Sequence, residues 1–256
     1  MTNPFFPKQV LLALDYDGEI GDSISECLLV GFNAFALYKA TKPISVLEEM
    51  GEVRYVTARA IRNFIRSGED YVYIYLALKL NASISHQEDF DRFTAHYSSL
   101  RQPFLDLFYG ERERMFDQER ERWIALNPLY QGMARWLQER SASENLYIIS
   151  TKKAFFISQI LLAQGIEWSP ERLYHATAQH PKREIIRALI NHHKIRSDRL
   201  YFIDDQVDTL LRTVDLGIRC FLAEWGYNNP EQLERARRAS LPSLSLPGFF
   251  RLFDED

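Results

Sequence analysis

Four apolar runs stand out along the chain, and each ends in polar residues. They are Val10–Leu14, Leu146–Ile149, Leu200–Ile203 and Cys220–Ala223. Short runs without polar alternation predict strands buried on both faces of a parallel sheet. Helical patterns over Phe155–Gln164, Arg183–His193 and Thr209–Leu216 separate the later runs. Strands alternating with helices of that length predict βαβ units.

The stretch between the first two runs follows a different period. Amphipathic helical patterns cover Ser23–Lys39, Val46–Arg66, Asp70–Leu80 and Gln87–Tyr109, with breaks at Ser67-Gly68 and Asn81-Ala82-Ser83 and no convincing strand. Met133–Glu139, after Pro128, leads back toward the sheet. The expected organisation is an α/β core from residues 1–22 and 127–256, with an inserted all-helical domain at 23–126. The charged run Glu111–Arg122 alternates in sign with i,i+4 partners, which predicts a solvated helix face.

Composition narrows the function classes. The chain has 256 residues, 46% of them hydrophobic and 26% charged, as expected of a folded globular protein. A net charge of −4 argues against a dedicated nucleic-acid binder. No apolar stretch reaches the roughly 18–20 residues that span a bilayer, so no membrane partner is expected. The start Met1-Thr2-Asn3-Pro4 lacks the basic opening and apolar core of a secretory signal. Cys27 and Cys220 are the only cysteines, with no CxxC, so neither a disulfide framework nor a zinc site is expected. The four residues His175, His180, His192 and His193 show no metal-ligand pattern. Together these features predict a cytoplasmic protein.

The candidate chemistry lies at the strand ends. Asp15 and Asp17 follow the first run, with Gly18 allowing a sharp turn, and Ser150 and Thr151 follow the second. Lys182 opens a helix after Pro181, while Asp204 and Asp205 follow the third run with Asp208 just beyond. In a parallel sheet such ends converge on one edge, where ligands bind. Close carboxylates repel unless a cation or proton compensates, so the acidic residues suggest a divalent metal. A carboxylate nucleophile, a metal, a Lys and a hydroxyl suit phosphoryl transfer through an aspartyl-phosphate, with a second Asp moving the proton. Simpler roles stay open beside these: Asp15 and Asp17 as turn formers, Ser150 as a helix cap, Lys182 as a surface residue, and Asp208 as an N-cap.

These motifs together resemble the haloacid dehalogenase superfamily. Its first motif, DxDG behind an apolar strand, is matched by Asp15-Tyr16-Asp17-Gly18. The second is matched by Ile148-Ile149-Ser150-Thr151-Lys152, the third by Pro181-Lys182-Arg183, and the fourth by Phe202-Ile203-Asp204-Asp205-Gln206-Val207-Asp208. The helical block falls where the family's C1-type cap does, and Glu224-Trp225-Gly226-Tyr227 resembles a loop of phosphoglycolate phosphatase-like members. The resemblance implies a Rossmann-like core and a magnesium-dependent phosphatase acting on a small phosphorylated metabolite. It implies Asp15 as nucleophile, Asp17 as acid/base and Ser150, Thr151 and Lys182 as phosphate ligands. Asp15, the backbone carbonyl of Asp17, and Asp204 or Asp205 would hold Mg2+, with a lean to Asp205 and with Asp208 as a further candidate. Arg62 in the cap is a candidate for substrate specificity, since Arg offers a planar fork to anions.

One departure is Glu19-Ile20-Gly21, where the family usually has Thr and two apolar residues. A Glu there is expected to add negative charge beside an anionic substrate. Two rivals therefore stay open: a sugar phosphomutase, and a degenerate member that binds without turnover. Asp17 argues against a dehalogenase, which needs no second Asp.

Overall fold

The computed structural model describes residues 10–254. They divide into two compact units: the chain up to Asp22 with the chain from Leu129 onward, and Ser23–Pro128 between them.

In the first unit, six strands of the described residues form one sheet in the order β3-β2-β1-β4-β5-β6, parallel throughout. They are β1 (Leu11–Leu14), β2 (Leu146–Ser150), β3 (Leu173–His175), β4 (Leu200–Asp204), β5 (Arg219–Ala223) and β6 (Ser243–Leu244). The apolar runs become β1, β2, β4 and β5, and β1 and β2 are buried along their whole length. The two strands without an apolar run, β3 and β6, lie at the sheet edges and are partly exposed.

The period-2 geometry of the strands explains why both faces are apolar. Leu11, Ala13, Tyr147, Ile149, Leu200, Phe202 and Leu222 gather with Ile185, Ile186 and Leu189 of helix Lys182–His193. Tyr201 and Phe221 belong to the opposite face and stack on each other, and Tyr201 meets Phe253 of helix Leu246–Asp254 edge to face. In the same helix, Phe249 packs on Trp136 of helix Met133–Arg140 and on Trp225. The expected helix Thr209–Leu216 is instead a short helix, Val207–Leu211, followed by a 3-10 turn, Val214–Leu216.

The second unit is helical, with Ile24–Tyr38, Asp70–Lys79 and Arg101–Gln118 packed together. Two of the expected long helices are interrupted. Gly51 adopts φ +84° between Leu47–Met50 and Glu52–Ile61, and a 3-10 turn, Ser98–Leu100, separates Gln87–His96 from Arg101–Gln118.

The Glu111–Arg122 run is not uniformly solvated, which corrects the sequence expectation. Glu111 and Arg112 are buried. The Arg112 guanidinium donates two hydrogen bonds of 2.8 Å to the buried Glu26 carboxylate, and Trp123 Nε1 donates a third at 3.0 Å. Asn33 Nδ2 and Arg114 donate to Glu111. Burying a charge is costly unless it is paired and hydrogen-bonded, and these groups are both. Among the described residues, no helix is long and apolar enough to cross a membrane.

Candidate active site

The carboxyl ends of β1, β2 and β4 lie side by side, with β1 between the other two. The chain winds outward from β1 to β2 and β3, then returns to β4 on the other side of β1. Open α/β sheets bind ligands in the crevice at such a switch point.

The loop leaving β1 is a tight turn. The main-chain N–H groups of Ile20 and Gly21 both donate to the Tyr16 carbonyl, and Gly18 N–H donates to the Gly21 carbonyl. Gly18 has φ +91°, a conformation side chains oppose, and a Cβ there would stand 2.2 Å from Asp205 Oδ2. A Cβ on Gly226 would stand 2.3 Å from the Asp205 Cβ and 2.5 Å from the Gly18 carbonyl oxygen. Two glycines thus let the β1 loop and the Trp225-Gly226-Tyr227 loop close on Asp205 from both sides. Tyr227 N–H donates to Asp205 Oδ2 at 2.8 Å, Tyr227 Oη donates to Asp22, and Trp225 Nε1 donates to the Glu19 carbonyl.

Asp15, Asp204 and Asp205 are buried, and each offers a carboxylate oxygen within 4.8 Å of the other two. Lys182, also buried, sets its ammonium 2.8 Å from Asp15 Oδ2 and 2.7 Å from Asp204 Oδ2. This placement excludes the surface role for Lys182. Burial alone would lower the Lys182 pKa, but the charges of Asp15 and Asp204 outweigh it and raise the value. Asp204 is pushed up to about 7, by burial first and then by Asp15 and Asp205, with Lys182 opposing the rise. Its other oxygen accepts from Gln206 N–H at 2.8 Å. Three carboxylates facing one ammonium leave an excess of negative charge. Hard oxygen donors in that arrangement suit Mg2+, so the residues fit the metal.

Ser150 is fully buried at the end of β2, and its Oγ accepts from Lys152 N–H at 3.3 Å. It does not cap the next helix, Ala154–Ala163, whose N-cap is Lys153. Thr151 beside it is exposed. Asp17 is mostly buried, and Lys152 Nζ stands 2.9 Å from its Oδ1. The sequence pattern assigned no role to Lys152, because a lysine in a polar turn reads as solvated.

Asp208 lies apart from the three clustered carboxylates. It sits in the first turn of Val207–Leu211, whose N-cap is Gln206, and pairs with Arg235. In the helical unit Arg62 is buried, with its guanidinium 5.6 Å from the Tyr71 ring centroid, which excludes a surface role.

Glu19 departs most from expectation. It is fully buried; Oε2 accepts from Asp15 N–H at 3.1 Å, and Oε1 has no hydrogen-bond partner among the described residues. Burial, reinforced by the charges of Asp15 and Asp204, raises its pKa well above the ordinary value. Burial thus favours the uncharged form of the carboxyl, against the added negative charge expected of it.

No protein-family model matches the chain, and no curated protein matches it. Solved structures do. A haloacid dehalogenase-like family hydrolase from Streptococcus pneumoniae superposes with a TM-score of 0.62 at 15% identity, covering 96% of this chain and 97% of that one. A predicted phosphoglycolate phosphatase from Haemophilus somnus gives 0.56 at 15% identity over 93% and 95% of the two chains. A predicted phosphatase from Clostridium acetobutylicum gives 0.53 at 13% identity over 92% and 93%. At these identities the likeness is one of fold. With its parallel sheet, its helical block between β1 and β2 and its acidic site at the switch point, the chain has the haloacid dehalogenase fold.

Proposed function

We propose that the protein is a magnesium-dependent phosphatase that hydrolyses a small phosphorylated metabolite through an aspartyl-phosphate. One observation carries the reading: the buried carboxylates of Asp15, Asp204 and Asp205 converge, and the Lys182 ammonium bridges two of them. Such a cluster is expensive to bury unless it serves a cation and an anion. The names of the solved structures that share the fold, among them a hydrolase and predicted phosphatases, support the same class.

In this reading Asp15 attacks phosphorus, and Asp17 gives a proton to the leaving oxygen and later takes one from the attacking water. Lys182, Ser150 and Thr151 hold the phosphoryl oxygens as charge develops on them. Asp15, Asp205 and Asp204 would hold Mg2+, together with the main-chain carbonyl of Asp17, whose carboxyl stays available for the proton. When bound, Mg2+ relieves the repulsion between the nucleophile and the phosphate. Glu19, whose Oε2 accepts from Asp15 N–H, anchors the nucleophile's main chain. Arg62 is proposed to contribute to substrate choice from the helical unit, which acts as a cap.

The test is release of inorganic phosphate from a panel of sugar, acid and nucleotide monophosphates with and without Mg2+. Turnover that needs Mg2+ and disappears in Asp15→Asn supports the reading. Wild-type turnover no higher than that of Asp15→Asn would overturn it in favour of a binding protein. Phosphate moved between positions on a sugar without release would make it a mutase.

A further inference from the structure

Lys152 is a buried cation with no part in the mechanism above. Its side chain is fully excluded from solvent (0% exposed), an environment lysine tolerates only when its charge is met. The charge meets Asp17: Nζ lies 2.9 Å from Oδ1, while the Asp17 side chain keeps 19% of its surface exposed. The same ammonium lies 5.7 Å from the centroid of the buried Tyr16 ring, and the Lys152 main-chain N–H donates to Ser150 Oγ. Lys152 thus ties the turn after β2 to the loop after β1, and its charged end stops at one carboxylate oxygen of the proposed proton carrier.

We infer that Lys152 is a positioning residue that orients the Asp17 carboxyl for proton transfer to the leaving group, an inference that rests on the phosphatase reading. In the first step the bond from an Asp15 carboxylate oxygen to phosphorus forms, the bond from phosphorus to the leaving oxygen breaks, and that oxygen takes the proton from Asp17. In the second step water attacks phosphorus, gives its proton to Asp17 and releases the Asp15 carboxylate. Both transfers need the Asp17 carboxyl held within hydrogen-bond reach, and small misplacement is costly. A short ion pair made by a fully packed side chain restricts rotation about the carboxyl in a way that solvent would not. Lys182 takes no part in this, because it is committed to Asp15 and Asp204.

The effect of losing Lys152 should therefore scale with the leaving group's need for a proton. The test compares Lys152→Met, Lys152→Arg and the wild type on phenyl phosphate, a poor leaving group, and p-nitrophenyl phosphate, a good one. In Lys152→Met, kcat should fall about 100-fold on phenyl phosphate and less than about tenfold on p-nitrophenyl phosphate, with little change in KM. Lys152→Arg should recover most of the loss. In an Asp17→Asn background, Lys152→Met should cost nothing further, since residues that act as a unit are not additive. Equal losses on both substrates with a raised KM would overturn the inference, as would a full additional loss in the Asp17→Asn background. Either would make Lys152 a direct phosphate ligand instead. If Lys152→Met fails to fold, Lys152→Gln and Lys152→Arg carry the same comparison. A wild type that releases no phosphate overturns the phosphatase reading and this inference together. An active wild type with an unimpaired Lys152→Met overturns this inference alone.

Discussion

Asp205 lies so close to Gly18 that a single added Cβ on the glycine would stand 2.2 Å from its Oδ2. The acidic end of β4 is thereby seated against the loop that carries Asp15 and Asp17, and only a residue without a side chain permits it. Gly18→Ala meets two penalties, the positive φ and the clash, and Gly226→Ala meets the clash with Asp205 and the Gly18 carbonyl. Each should destabilise the protein by about 2 kcal/mol or more, read from the midpoint of urea unfolding. A midpoint unchanged in both would mean that the two loops do not close on Asp205.

Magnesium should stabilise the folded protein, because it balances the excess negative charge of Asp15, Asp204 and Asp205. At a concentration about 100 times its Kd the gain is about 2.7 kcal/mol. Asp204 already shares the Lys182 ammonium, whereas Asp205 Oδ2 is met by the neutral N–H of Tyr227. Asp205→Asn should therefore reduce the Mg2+-induced rise in Tm more than Asp204→Asn. Equal rises in both variants would contradict this ranking.

Removing Lys182 leaves Asp15 and Asp204 buried without their shared cation. Lys182→Met should lower the stability of the metal-free protein by about 3 kcal/mol, the order expected when one partner of a buried pair is lost. Added Mg2+ should restore part of it. Calorimetry of both proteins with EDTA and with Mg2+ makes the comparison, and a metal-free Tm equal to the wild type's would refute it.

Glu26 and Arg112 pose the same question inside the helical unit. Arg112→Ala strands a carboxylate that is 0% exposed and should cost about 3–5 kcal/mol. Replacing both residues together, Glu26→Leu with Arg112→Met, should cost much less, since neither charge is then left unpaired. Denaturant titration of the two variants checks the order; a double variant as unstable as Arg112→Ala would rule it out.

Asp70 should give the stability of that unit a dependence on mild acid. Burial, with help from Glu69, pushes its carboxyl up to about 6 from an ordinary 3.8, against the opposing N–H donors of Arg66 and Ser67. Between those values the folded chain binds the extra proton. Stability from this group is thus fully present below pH 3.8 and is lost as pH rises through about 6. The shift corresponds to about 3 kcal/mol, as an order of magnitude. The unfolding free energy of the wild type relative to Asp70→Asn should fall by that order between pH 4 and pH 7. A difference that stays constant with pH would show that Asp70 is not perturbed.

Much of the core was readable in the chain because burial on both faces leaves an unbroken apolar run. Val10–Leu14 and Leu146–Ile149 mark β1 and β2 for that reason, and the polar residues behind them mark the edge where ligands bind. The edge strands β3 and β6 were not readable. Each is short and half solvated, so Leu173-Tyr174-His175 and Ser243-Leu244 carry no periodic signal. Helix interruptions at Gly51 and Ser98–Leu100 were equally hidden, since the amphipathic period runs on across them.

The amino-acid sequence by itself determined the residue types of the candidate site, Asp15, Asp17, Ser150, Lys182, Asp204 and Asp205, and their order behind successive strands. Local pattern suffices there, because hydrophobic period and strand ends are properties of neighbouring residues. What those side chains meet was decided only by the tertiary structure. Burial raises the pKa of the Glu19 carboxyl, Lys152 reaches Asp17 across 135 positions, and Arg112 finds Glu26 across 86. An ionisable group has no fixed charge or partner in a sequence. Both follow from the dielectric around it and from the groups that folding brings within a few ångströms.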